Sequence, residues 1–131
     1  MKLPHQFAIK TMLGLLSMVI LFHLLILIKL IPYNIAWGGR LQTDEQMYMF
    51  ETISTLINLF LCFILLMKGS FINYYLKEKT LNIVLWIFLL LFVLNTVGNL
   101  FAQTNFEKLF ALLTLVLAFL IWRVLRSKAT N

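Results

Sequence analysis

Glu51, Thr55 and Asn58 stand four and then three positions apart, the spacing that puts side chains on one face of a helix. Ser54 lies beside that stripe. Asn95 and Asn99 repeat the pattern four apart, with Thr96 adjacent and Gly98 small enough to let another backbone come close. His23 sits within an apolar run, and Trp37-Gly38-Gly39-Arg40 forms a compact loop motif. Histidine is the side chain suited to proton exchange near neutral pH, and Glu51 could serve His23 as a counter-ion or accept a proton or a cation. Arg40 could grip an anionic group with two parallel hydrogen bonds, or pair with Glu51. The asparagine amides and Thr55 can orient a ligand by donating and accepting together.

The elements that must hold these residues are apolar. Four stretches, about 11–31, 47–67, 80–101 and 109–125, are each close to the roughly 20 residues that cross a hydrocarbon core. Hydrophobic residues make up 62% of the 131-residue chain and charged residues 12%, so a water-soluble fold would expose too much apolar surface. The expectation is an all-α, integral membrane four-helix bundle in a single domain, with antiparallel neighbours because the connections are short. No room remains for a soluble catalytic module, and nucleic acid is excluded as a partner. The partners expected are the lipid bilayer and a small-molecule ligand, with a homo-oligomer or another membrane protein as further candidates.

Polar groups within a span are costly, and by default they mark functional sites. Counting at the helical rise, His23 stands about 18 Å beyond Thr11, near mid-membrane and leaning outward. Asn58 falls close to the same height, and Glu51 and Asn99 lie near the outer interface. The stripes therefore share a band in the outer half, where His23, Trp37, Arg40, Glu51, Thr55, Asn58, Asn95 and Asn99 form a candidate ligand-binding set. The same residues have structural uses: the asparagines as interhelical hydrogen-bond donors, Glu51 as the ion-pair partner of Arg40 or Lys108, Trp37 as an interfacial anchor.

Local signals set the boundaries. Pro32 cannot donate to a helix ladder and disfavours helix at Ile31. Thr43 with Gln46 reads as a capping box, with Asp44 and Glu45 in the first turn of the second helix. Lys68-Gly69 reads as its stop, the glycine in the left-handed conformation. Thr104 with Glu107 reads as a second capping pattern, at the fourth helix.

Charge placement orients the chain. With the amino terminus cytoplasmic, eight of the 11 basic residues lie inside and three, Lys29, Arg40 and Lys108, lie outside, which predicts both termini on the cytoplasmic side of a cell membrane. The amino-terminal run reads as an uncleaved span, since no small-x-small cleavage site follows it. Cys62, the single cysteine, cannot form an intrachain disulfide and reads as a packing residue. No metal-ligand cluster, phosphate loop, zinc-protease motif or catalytic triad spacing is present, so no catalytic residue and no metal ligand is assigned, and no cofactor is identified.

The order His23, Pro32, Trp37-Gly38-Gly39-Arg40 and then Ser54 resembles a group of small bacterial four-span membrane proteins without an assigned activity. The resemblance covers the first two spans and their loop. It implies a compact four-helix membrane protein, carries over no substrate or reaction, and agrees with a composition rich in Ile, Phe, Asn and Lys that suggests a bacterial source. The function expected is binding or transport of a small molecule through the outer-half pocket. An accessory subunit of a larger membrane complex and an intramembrane enzyme using His23 and Glu51 as acid and base are the alternatives.

Overall fold

A computed structural model describes residues 5–33, 41–101 and 105–126, apart from the side chain of Phe106. These residues form four helices: α1 (His5–Leu27), α2 (Asp44–Lys68), α3 (Glu78–Leu100) and α4 (Asn105–Arg126). No strand occurs among them. All four helices are long and apolar enough to cross a membrane, which makes the chain a multi-pass membrane protein. Their outer surfaces carry large apolar side chains such as Leu21, Leu56, Leu90 and Leu112, suited to a lipid solvent rather than to water.

The closest packing is of α3 on α4, followed by α1 on α2, with α1 also against α4 and α2 against α3. One core gathers residues from every helix: Ile9, Met12 and Leu16 of α1, Leu61, Ile64 and Leu65 of α2, Leu81, Leu85 and Phe88 of α3, and Leu117, Ile121 and Val124 of α4. These residues belong mainly to the first halves of α1 and α3 and the second halves of α2 and α4. The core therefore fills one end of the molecule. At the other end the only apolar cluster among the described residues is a small one around Ile26, Leu41 and Met47, and polar groups occupy the interior beside it.

The helix ends follow from local chemistry. Thr43 caps α2, its Oγ1 accepting from the Gln46 amide at 3.2 Å, while Gln46 Oε1 accepts from the Gln42 amide at 2.9 Å. The box is thus displaced by one residue, closing on Gln42 rather than on Thr43 itself. The α1 helix stops at Leu27, short of the expected end near Ile31. Lys29 turns left-handed at φ 64°, so that its amide reaches the Ile26 carbonyl and the Leu30 amide reaches that of Leu25. The same pair of bonds ends α2, but with Ser70, at φ 61°, in the left-handed position.

The expectation that Gly69 would take that conformation is corrected: its φ is −84°. A Cβ there would lie 2.7 Å from the Phe71 ring, which would have to shift, and 3.2 Å from Ile9 Cγ2. The close approach lets Gln6 of α1 donate to the Gly69 carbonyl at 2.6 Å.

Lys68, read from sequence as a basic residue at a helix stop, is only 4% exposed. Its ammonium donates to Glu78 Oε1 at 3.0 Å and to Asn82 Oδ1 at 2.6 Å, both on α3. Its carbonyl accepts the Tyr74 hydroxyl at 3.3 Å, and His5 Nε2 lies 3.4 Å from the same oxygen. A buried ammonium is tolerable only with such partners, and the knot they form joins α1, α2 and α3 at the packed end. At the opposite end Lys29 donates to Asp44 at 2.6 Å. This hydrogen bond, and then the charge of Asp44, raise the Lys29 pKa above its ordinary value. The contribution of the pair is therefore full below the ordinary lysine value and fades as pH rises through the higher folded-state one. Both side chains are about half exposed, so salt weakens it.

The uneven core predicts uneven sensitivity. Leu85 is fully buried and Leu90 is 60% exposed on the same helix. Leu85→Ala should cost about 2–5 kcal/mol in detergent-titration unfolding, and Leu90→Ala under about 1 kcal/mol. Equal losses would show that α3 does not present these faces as described.

Candidate functional site

The α1 and α2 helices bring two ionisable side chains together. His23 lies one turn before the end of α1, and Glu51 lies seven residues into α2, a rise of about 10 Å. Glu51 is fully buried, and His23 Nδ1 is in direct hydrogen-bond contact with its Oε2. A lone carboxylate in an apolar interior would be expensive, since water no longer solvates it. The pair is neutral overall whether the shared proton rests on nitrogen or on oxygen, which removes most of that cost. In either arrangement of this neutral pair Nε2 keeps its hydrogen and is a donor.

Beside this pair is a cavity of about 410 Å³, to which all four helices contribute. Its polar lining is His23 of α1, Ser54 and Asn58 of α2, Asn95 and Asn99 of α3, and Glu107 and Thr114 of α4. Aromatic and aliphatic side chains fill in between them, notably Phe22, Phe88, Phe92 and Phe110. The volume and the mixture of apolar wall with a few convergent polar groups are those of a small-molecule site.

Two of the polar lining residues, Asn58 and Thr114, are held by their own backbone. Asn58 Nδ2 donates to the Ser54 carbonyl at 2.7 Å, one turn back. Thr96 Oγ1 donates to the Phe92 carbonyl at 2.8 Å and lies 2.8 Å from Thr114 Oγ1, joining α3 to α4. Thr114 Oγ1 in turn lies 2.9 Å from the Phe110 carbonyl. Such one-turn back-bonds are the usual resort of short polar side chains in an apolar helix, and those of Asn58 and Thr114 hold side chains that line the cavity.

Of the expected set, His23, Asn58, Asn95 and Asn99 line this cavity, and Glu51 adjoins it through His23. Thr55 is placed differently. It is buried, with its hydroxyl donating to the Glu51 carbonyl at 2.8 Å, and it is not among the lining residues. Its position one turn from Glu51 makes that back-bond available, so it supports the carboxylate's helix rather than the cavity. Trp37 and Arg40, with the glycine pair and the proposed turn, lie outside the described residues. Glu51 has His23 as a partner, and Lys108 is exposed.

Glu107, Ser54 and Thr114 are lining residues that the sequence reading did not assign to the site. Glu107 was read as the partner of a Thr104 cap, and Thr104 lies outside the described residues. The side chain of Glu107 is only 4% exposed. A usable signal existed: Glu107 and Thr114 are seven apart, the same one-face spacing that picked out Glu51 and Asn58. No group of three or more metal-ligating side chains occurs among the described residues.

The pair makes a definite energetic statement. Replacing Glu51 or His23 singly by Ala removes the contact and leaves the other member behind, whereas the double replacement removes both. Thermal or detergent unfolding should therefore give a coupling of about 1–3 kcal/mol between the two sites. Strictly additive losses would mean that the contact does not operate in the membrane.

The chain matches no protein-family model, and neither curated proteins nor solved structures give a match to it.

Proposed function

We propose that this protein binds a small molecule, and takes part in its transport, through the polar cavity at the loosely packed end of the helices. The observation that carries this reading is the polar lining itself: amides, hydroxyls, His23 and Glu107, contributed by all four helices, border one space of about 410 Å³. Polar stripes turned toward acyl chains would instead favour an accessory subunit awaiting a membrane partner. A second reading has one specific support. The His23–Glu51 contact is the geometry an acid–base dyad requires, so proton transfer to or from a cavity occupant belongs to the same proposal.

In this reading neighbouring helices run antiparallel, both termini are cytoplasmic and the cavity opens toward the outer leaflet of a bacterial cytoplasmic membrane. What supports the orientation is the excess of Lys and Arg at the ends assigned inside. Kinship with small bacterial four-span proteins rests on the His23, Pro32 and Trp37-Gly38-Gly39-Arg40 order. Four helices enclose too little space for a conduction path as well as a packed core, so transport would use a homo-oligomer.

Two measurements test this. On a Cys62→Ala background, an impermeant thiol reagent applied from outside should label Gln42→Cys and not Asn73→Cys; the reverse pattern would invert the topology. A high-resolution structure in lipid nanodiscs should show non-protein density between His23, Asn58 and Asn95. A dry, collapsed space there would remove the binding site.

A further inference from the structure

The charges of the chain are divided between its two ends. Lys10 follows Ile9, Lys68 follows Met67, Lys77 and Lys79 precede Leu81, and Arg123 precedes Val124, so the residues that build the packed core bring cations with them. Of the five acidic residues, Asp44, Glu45, Glu51 and Glu107 belong to the first halves of α2 and α4, at the opposite end. Glu78, the fifth, accepts from the buried Lys68 ammonium at 3.0 Å, so the carboxylate of the packed end is already paired.

Two of the cations share one aromatic ring. In the last turn of α4 the guanidinium of Arg123 lies 5.9 Å from the centre of the Trp122 ring, and that of Arg126 lies 5.7 Å from it. Neither takes part in the ion pairs formed among the described residues. A helix C-terminus favours positive charge, but two guanidiniums three residues apart also repel one another, and arginine stays charged throughout the physiological pH range. Trp122 is exposed on the outer surface, and Phe119, Leu115 and Leu112, all exposed, continue its face along the helix at spacings of three and four. The ring centres of Phe119 and Trp122 are 6.2 Å apart.

We propose that Trp122, Arg123 and Arg126 form a binding site for the headgroup phosphate of an anionic phospholipid in the leaflet at the packed end. A phosphate accepts hydrogen bonds from both guanidinium forks and offsets their mutual repulsion. The exposed apolar face below it lies where the acyl chains of the same molecule run, and that joint contact selects a lipid over a free phosphate. A zwitterionic headgroup brings an ammonium of its own to the guanidiniums, so a headgroup of net negative charge is preferred. This site is separate from the polar cavity and does not rest on the function proposed for it.

The test uses the full-length protein with Trp37→Phe and Trp86→Phe, which leaves Trp122 as its sole tryptophan. It is placed in nanodiscs in which either phosphatidylglycerol or phosphatidylcholine, at equal mole fraction, carries brominated acyl chains that quench tryptophan on contact. Each cation at an anionic leaflet adds about fivefold to association, so phosphatidylglycerol should occupy the site at least about tenfold more tightly than phosphatidylcholine. Arg123→Gln with Arg126→Gln should bring that ratio close to one; if the pair does not fold, Arg126→Gln alone should lower it about fivefold. Lys77→Gln with Lys79→Gln, which removes two cations from the same end, should leave most of the preference. Inorganic phosphate added at constant ionic strength should not displace the lipid. Native mass spectrometry of the protein with all its tryptophans, released from mixed bilayers, should show the same arginine-dependent retention of phosphatidylglycerol.

Equal quenching by the two lipids would overturn the proposal. Equal losses from the lysine and the arginine replacements would put a diffuse surface potential in place of the site. Displacement by inorganic phosphate would make the occupant a soluble anion and overturn the lipid assignment.

Discussion

A carboxylate buried in an apolar helix has to be neutralised by a neighbour, and in this protein the neighbour is a histidine on the preceding helix. Glu51 is fully buried, and its contact with His23 fixes the height at which α1 and α2 meet. Removed from water, either member alone would cost far more than an ordinary hydrogen bond returns. Together they form a neutral unit that an apolar surrounding can hold. The polar neighbours then have a natural place to gather, because a site that already accommodates one polar pair also offers hydrogen-bond partners to the next.

The molecule divides accordingly. One end is closed by interlocked Leu, Ile, Met and Phe side chains from all four helices and sealed by Lys68, whose ammonium and carbonyl tie α1, α2 and α3. The other end keeps its interior open, with the Thr43 cap and the Lys29–Asp44 pair holding the start of α2 beside the end of α1. Close packing gives the helices a rigid base, and the polar end can then keep a cavity without loosening the whole. The Thr114 hydroxyl, bonded to its own backbone and to Thr96, holds part of the cavity wall in place.

The helices were legible because their signals are strong and local: long apolar runs, Pro32, and the Thr43 and Gln46 cap. The stop of α2 was found but assigned to the wrong residue. Gly69 looks like a left-handed glycine, yet its φ is −84°, and what crowds it is the Phe71 ring and, from another helix, Ile9, a contact no local pattern encodes. The burial of Lys68 was hidden for the same reason, since its partners come from another helix. Periodicity placed His23, Asn58, Asn95 and Asn99 on faces that meet, but it could not tell a side chain lining a cavity from one such as Thr55 that bonds its own helix a turn away. Glu107 was missed because its nearness to a helix start offered a simpler explanation than its seven-residue partnership with Thr114.

Solid-state NMR on bilayer-embedded protein, correlating the His23 Nδ1 nitrogen with the Glu51 carboxyl carbon, tests the central interaction most directly. The account predicts a cross peak at about 3–4 Å, the separation set by a direct hydrogen bond. Absence of that peak, with the Glu51 carbon instead close to lipid acyl protons, would contradict it.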